Sequence, residues 1–135
     1  MLQEFQKHIK SNFSFLENSK LLIAVSGGVD SVVLTHLLQG LNCEIALAHC
    51  NFRLRGSESD ADEQLVKDLG NTLNLKSFFI HFDTAKFAKS NKQSTQLAAR
   101  NLRYAWFEEL RTKHHFDVVL TAHHADDNLE TFLIN

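Results

Sequence analysis

The feature that most constrains this chain is an alternation of short apolar segments with stretches of helical spacing. The apolar segments fall at residues 21–25, 43–50 (CEIALAHC), 76–82 (KSFFIHF) and 117–123 (DVVLTAH). Between them the apolar positions recur every three or four residues, which predicts helices over about 30–40, 59–73 and 94–114. Strands separated by a helix cannot pair through a tight hairpin, so they pair in parallel through right-handed crossovers. The expected fold is therefore α/β, an open parallel sheet with helices on both faces. Residues 3–16 add an amphipathic helix on Phe5, Ile9, Phe13 and Leu16, and ADDNLETFLIN reads as the start of another. Gly40 should end the first crossover helix, and Ser57 or Ser59 should cap the second. Leu97, Ala98, Leu102, Ala105 and Leu110 should form the inner face of the third.

At 135 residues the chain has the size of one domain, and its 44% hydrophobic and 22% charged residues are globular proportions. No apolar run approaches the roughly 18 residues of a membrane span. The first twenty residues lack the apolar core of a signal peptide, so the expected location is cytoplasmic. Cys43 and Cys50 have neither the number nor the spacing of a disulfide or zinc framework, and read as free thiols. The net charge of −2 conceals an uneven distribution. Residues 86–113 hold Lys86, Lys89, Lys92, Arg100, Arg103, Arg111 and Lys113 against Glu108 and Glu109 alone. Such a run is either a solvated helix face or a surface that meets a polyanion.

In open parallel sheets, ligands bind beyond the C-terminal ends of the strands. Every polar cluster of this sequence follows such an end: Ser26–Ser31, His49–Arg55 and His123–Asp127. The first, in LIAVSGGVDSVVL, sets a glycine turn between a strand and a helix, where free N–H groups and the helix dipole attract anions. It lacks the lysine of a P-loop, the three spaced glycines of a dinucleotide fingerprint and the bracketed serine of a nucleophile elbow. Ser26 and Ser31 can donate hydroxyl hydrogen bonds, and Gly27 and Gly28 let the backbone approach a ligand. Asp30 is the anomaly, a carboxylate where a phosphate should sit. Its plainest structural role is a helix N-cap.

The hexapeptide SGGVDS resembles the signature of the N-type ATP pyrophosphatases, or PP-loop ATPases, which cleave ATP between the α- and β-phosphates. HCNFRLRGSESDADE (49–63) and AARNLRYAWFEEL with LTAHHADDNLET (98–131) narrow the likeness. These stretches are similar, in order, to the N-terminal domain of bacterial tRNA(Ile)-lysidine synthetases, and the likeness runs from about Lys20 onward. It implies an adenine nucleotide alpha-hydrolase-like (Rossmann-like) fold. The implied enzyme is a ligase that uses ATP and Mg²⁺ to join free L-lysine to the wobble cytidine of a CAU-anticodon tRNA(Ile).

By the same resemblance, Ser26, Gly27, Gly28, Val29, Asp30, Ser31, His49, Arg55 and Arg100 would bind ATP. Asp30, Arg103 and His123 would act in catalysis, and Asp127 and Glu130 would hold the lysine ammonium. A Mg²⁺ ion between Asp30 and the triphosphate would turn repulsion into attraction, since it binds both kinds of oxygen. If a helix starts near Ala125, Asp127 and Glu130 share a face at i and i+3. Without the resemblance they read as acidic partners of a helix dipole. Phe52 stands where the family often has a second histidine. His124, Cys43 and Cys50 receive no role.

The family's similarity normally continues into domains that hold the tRNA. The expectation is thus that residues 1–135 are a PP-loop catalytic domain, incomplete and without the tRNA-binding domains, and inactive alone. A homodimer stays open. Two rival readings stand: another PP-loop ATPase such as a tRNA thiolase, for which only Cys50 lies near the site, and a non-catalytic ATP-binding module.

Overall fold

The structure, a computed structural model, describes residues 19–25, 29–39, 43–53, 56–122 and 129–133. Its strands are β1 (Lys20–Ala24), β2 (Glu44–Asn51), β3 (Lys76–His81), β4 (Val118–Ala122) and β5 (Leu129–Leu133). The helices are α1 (Val29–Gln39), α2 (Ser57–Leu73), α3 (Thr84–Ser90) and α4 (Thr95–His114). The strands form one sheet in the order β3-β2-β1-β4-β5. β1 is parallel to both neighbours, with Leu22 beside Ala46 of β2 and Val119 of β4. β3 continues the parallel pairing, and β5 runs antiparallel to β4.

A central strand covered on both faces must be apolar throughout, and Leu21, Leu22 and Ile23 are each fully buried. The alternation of side chains divides the core in two. Leu21, Ile23, Ile45, Leu47, Val118 and Leu120 pack with Leu38 of α1 and with Val66 and Leu69 of α2. Leu22, Ala46, Ala48 and Val119 pack with Trp106, Phe107 and Leu110 of α4 on the opposite face. The small Ala46 and Ala48 leave room there for the two large rings. The expected α/β sheet with helices on both faces is therefore present.

The order of the strands decides where a ligand can sit. From β1 the chain builds outward through β2 and β3, then α3 and α4 carry it back across to β4 on the other side of β1. Right-handed crossovers in opposite directions put their helices on opposite faces, which opens a crevice between β1 and β4 at their C-terminal ends.

Several local expectations are corrected. Residues 129–133 form a strand, not a helix, with Glu130 opposite Thr121 and Phe132 opposite Val119. Thr131 and Phe132 favour extended backbone, and the pairing satisfies the edge of β4 that faces away from β1. The helical i, i+3 relation of Asp127 to Glu130 therefore does not hold. Neither Ser57 nor Ser59 caps α2. Its N-cap is Gly56, at φ 56° and ψ −120°, a conformation that side-chain-bearing residues avoid. Helix α3 was not expected. It is capped by Asp83, whose Oδ1 accepts from the Lys86 N–H at 3.2 Å. On α4 the buried stripe is Ala98, Trp106, Phe107 and Leu110. Leu97 is 46% exposed and Ala105 is exposed, because the two large rings set the rotation of the helix. The helix expected over 3–16, and Gly40 after α1, lie outside the described residues. Among the described residues, no helix is long and apolar enough to cross a membrane.

Candidate functional site

The C-terminal ends of β2, β1 and β4 lie side by side, and each of the three polar clusters follows one of them. Val29, Asp30 and Ser31 open α1. Their backbone N–H groups belong to the unpaired first turn, where the helix dipole favours an anion. Asp30 is the second helical residue, so α1 begins before it and it lies inside the first turn instead of at the cap. Ser26, Gly27, Gly28, Arg55, His123 and Asp127 lie outside the described residues. Among the described residues, no cluster of three His, Cys, Asp or Glu side chains could hold a metal ion.

His49 ties the end of β1 to β2. It is 4% exposed on the α1–α2 face, set edge-on to Phe79 with ring centroids 6.3 Å apart. Its Nδ1–H donates to the Val25 carbonyl at 2.7 Å, while the Val25 N–H donates to the Ala48 carbonyl at 2.9 Å. Val25 is the last described residue before Ser26, Gly27 and Gly28, so the imidazole anchors the backbone just beyond the end of β1. With Nδ1 engaged as a donor, the neutral ring presents a lone pair at Nε2. That atom is buried and meets no partner among the described residues. An unsatisfied buried acceptor is costly in a folded protein, and a donor on a ligand would relieve it.

The loop after β2 is held from several sides. Asn51 is buried, donates from Nδ2 to Asp60 Oδ1 at 3.1 Å and accepts the Arg53 N–H at 2.9 Å. The Thr84 hydroxyl donates to the Phe52 carbonyl at 2.9 Å, and Phe52 stacks on Phe82 with centroids 5.8 Å apart. Arg53 occupies the left-handed region at φ 56° and donates from Nη2 to His81 Nδ1 at 2.9 Å. His81 in turn donates from Nε2 to Glu63, which Lys67 also approaches at 3.3 Å. Burial opposes ionisation of Glu63, but the hydrogen bonds from His81 and Lys67 hold its carboxyl below the usual carboxylate range. The sheet edge therefore fixes a strained loop next to the crevice.

Arg100 and Arg103 come from the other face. The crossover from β3 starts at this edge of the sheet, so the first turns of α4 lie beside it. Both guanidiniums lie over the Tyr104 ring, at 5.0 Å for Arg100 and 5.1 Å for Arg103. Arg103 Nε is buried without a hydrogen-bond partner among the described residues. The Arg103 charge also reaches Cys50. Burial nevertheless dominates there and pushes the Cys50 thiol up to about 12, so the sulfur stays protonated. Burial raises Cys43 as well. A thiol so held is a poor nucleophile, which counts against the thiolase reading.

Of the residues nominated from sequence, the structure brings His49 and Arg103 to the end of β2 from opposite faces, with Arg100 one turn before Arg103. The backbone of Val29–Ser31 opens α1, the helix that follows β1, and Glu130 lies on β5. Asn51, Arg53, His81 and Tyr104 are contributors that sequence reasoning left without a role. Asn51 is two residues beyond His49 on the same strand, so period-two alternation was the available signal.

Comparison with known proteins agrees with this architecture. Two solved structures share the fold at 16% identity: an NH3-dependent NAD synthetase from Campylobacter jejuni (TM-score 0.64) and an NMN synthetase from Francisella tularensis (TM-score 0.66). They cover 87% and 88% of this chain, and it covers 53% of each of them. Among curated proteins, the tRNA(Ile)-lysidine synthase of Bacteroides thetaiotaomicron is 40% identical over 133 residues, 98% of this chain and 31% of the relative. That of Porphyromonas gingivalis (strain W83) is 45% identical over 128 residues, 94% of this chain and 28% of the relative. The chain thus spans under a third of the length of these relatives. The family model described as the PP-loop domain matches residues 1–135 in full. With that match over the whole chain, and relatives at 40–45% identity, this chain belongs to the PP-loop domain family.

Proposed function

We propose that this chain is the ATP-using part of a tRNA(Ile)-lysidine synthase. Identity of 40–45% to proteins of that name over nearly the whole chain carries the reading. The exocyclic carbonyl oxygen of the wobble cytidine attacks the α-phosphorus of ATP. The bond to pyrophosphate breaks, and an adenylated cytidine remains. The amine of free lysine then attacks the activated carbon and displaces AMP, leaving lysidine. Both tRNA and lysine are cytoplasmic substrates, so the reading places the protein in the cytoplasm.

The roles follow from chemistry at the sheet edge. Pyrophosphate leaves readily only if its developing charge is stabilised, which the N–H groups of Gly27–Ser31 and the N-terminus of α1 can do. Ser26 and Ser31 add hydroxyl donors. A carboxylate on the first turn of a helix beside a phosphate turn is a hard oxygen donor suited to Mg²⁺, and Asp30 would hold that ion. When bound, the ion neutralises charge on the triphosphate oxygens. His49 and Arg55 flank the adenosine, and Arg100 and Arg103 pair with phosphate oxygens. Asp127 and Glu130 would supply negative charge for the lysine ammonium, and His123 would act on the attacking amine. Glu130 would do so from a strand. We further propose that tRNA selection depends on parts of the relatives outside the matched share, so that the 135 residues bind ATP weakly and modify no tRNA alone.

The test is pyrophosphate release from ATP by this chain and by the full-length Bacteroides relative, with and without lysine and CAU-anticodon tRNA(Ile). The expected result is ATP binding by both, with lysine-dependent release and lysine incorporation by the relative alone. ATP binding with no release from either protein would favour a binding module. Lysidine formation by the 135 residues would show that the matched share suffices.

A further inference from the structure

Two guanidiniums three residues apart on one helix repel each other, and an exposed helix does not place them together without cost. On α4 the pair is held nonetheless. Tyr104 packs against the core cluster of Trp106, Phe107 and Leu110, so its ring is a fixed platform. Arg100 and Arg103 both lie over that ring, and among the described residues neither is paired with a carboxylate. Glu108 is engaged elsewhere, by Arg111 at 2.8 Å. Cation–π contact orients a guanidinium through its face and leaves its N–H edge free to donate. Arg103 Nε is in addition buried and unpartnered among the described residues.

We propose that Tyr104 is a positioning residue that holds Arg100 and Arg103 as one clamp for a phosphate oxyanion. The proposal rests on the functional reading above in taking that phosphate to belong to a substrate, the triphosphate of ATP or the backbone of the RNA. An anion on the N–H edges of the guanidiniums offsets their like charge and satisfies Arg103 Nε, which the described residues leave unpartnered. The phenol face is the operative feature, so phenylalanine should replace it and an aliphatic side chain should not.

The experiment measures binding of inorganic tripolyphosphate, and separately of an anticodon stem-loop RNA, to the 135-residue chain and its variants by calorimetry. Tyr104→Leu should weaken binding of the clamped ligand about tenfold, the loss of two cation–π contacts, while Tyr104→Phe should stay within about twofold. Loss with tripolyphosphate assigns the clamp to the nucleotide, and loss with RNA alone assigns it to the RNA backbone. Unchanged binding of both by Tyr104→Leu overturns the proposal. So does an equal loss in Tyr104→Phe, or no measurable binding of either probe by the parent chain. Should Tyr104→Leu unfold, Arg100→Lys combined with Arg103→Lys keeps the charge and removes the planar contacts. It should lose a similar factor, and binding equal to the parent would refute the clamp. These probes need neither lysine nor turnover, so failure of the clamp and failure of the lysidine reading are separable.

Discussion

The two ends of the sheet are built from similar residues to opposite effect. At the N-terminal end Lys20, Lys76 and Arg111 each have an internal partner. Lys20 donates from Nζ to the His114 carbonyl at 2.6 Å and lies over the Phe116 ring, and its N–H meets Asp117 Oδ2 at 2.8 Å. The Lys76 ammonium lies over Phe78, against which His114 also packs. At the C-terminal end Arg53, His81, Glu63 and Lys67 are linked to one another, but two buried atoms, His49 Nε2 and Arg103 Nε, are unpartnered among the described residues. Basic residues paired internally stabilise the fold, whereas buried polar atoms without partners cost stability and persist where a ligand completes them. The basic run of residues 86–113 is thus two things. Arg100 and Arg103 belong to the open end, and Arg111, paired with Glu108, to the closed one.

The sharpest way to break this contrast is Asp30→Ala. If the open end serves Mg²⁺–ATP, affinity should fall by about 100-fold and its dependence on Mg²⁺ should disappear, as expected for loss of a charged contact. Stability should change by only about 0.5–1 kcal/mol, the dipole contribution of one acid in a first turn. Titration of ATP at several Mg²⁺ concentrations, beside urea unfolding, reads both. Unchanged affinity with reduced stability would make Asp30 a structural residue and the open end less functional than its unpaired atoms imply.

His49 belongs to both categories, which allows its two nitrogens to be separated. His49→Leu removes both and leaves the Val25 carbonyl without its donor, so unfolding should become easier by about 1–3 kcal/mol. His49→Asn places an amide N–H where Nδ1 was and nothing where Nε2 was. Stability should return to near that of the parent while ATP affinity stays about tenfold lower, the effect of one lost ligand hydrogen bond. Should the asparagine variant recover both, Nε2 contributes nothing to the ligand and its isolation is incidental.

Much of this was legible in the sequence, and the misses have identifiable causes. The strands were readable because a fully buried parallel strand is a short unbroken apolar run, as in LLIAV and DVVL. The crossover helices were readable from spacing. The inner face of α4 was read with Leu97 and Ala105 on it, since spacing alone does not reveal that Trp106 and Phe107 fix the rotation. Helix α3 is too short for periodicity to register, although Asp83 was a visible cap. Gly56 offers no capping side chain that a sequence reveals, and only its positive φ shows why glycine stands there. ADDNLETFLIN reads as the start of a helix, whereas residues 129–133 pair with β4 as a strand. The resemblance nominated His49 as a nucleotide contact, but its bond to Val25 spans 24 residues and no local pattern encodes it. Tyr104 was visible in the motif yet roleless until both arginines lay over its ring.

The smallest effect tests the closed end. Burial, together with the charges of Lys76, Lys113, Lys20 and His115, holds the His114 imidazole below its ordinary range. The folded protein therefore binds a proton there less readily than the unfolded chain. Its contribution to stability is complete above the ordinary imidazole range and is lost as pH falls through that range toward the lower folded value. His114→Gln should remove this part of the acid dependence, making the slope of stability against pH shallower between about pH 7 and 5. Lys76→Ala or Lys113→Ala should move the ring's titration upward in a proton NMR series, since each takes away a like charge. None of the three should alter ATP affinity, because the closed end lies a full strand length from the crevice. A change in ATP affinity with any of them would show that the two ends communicate, and the division drawn between them would fail.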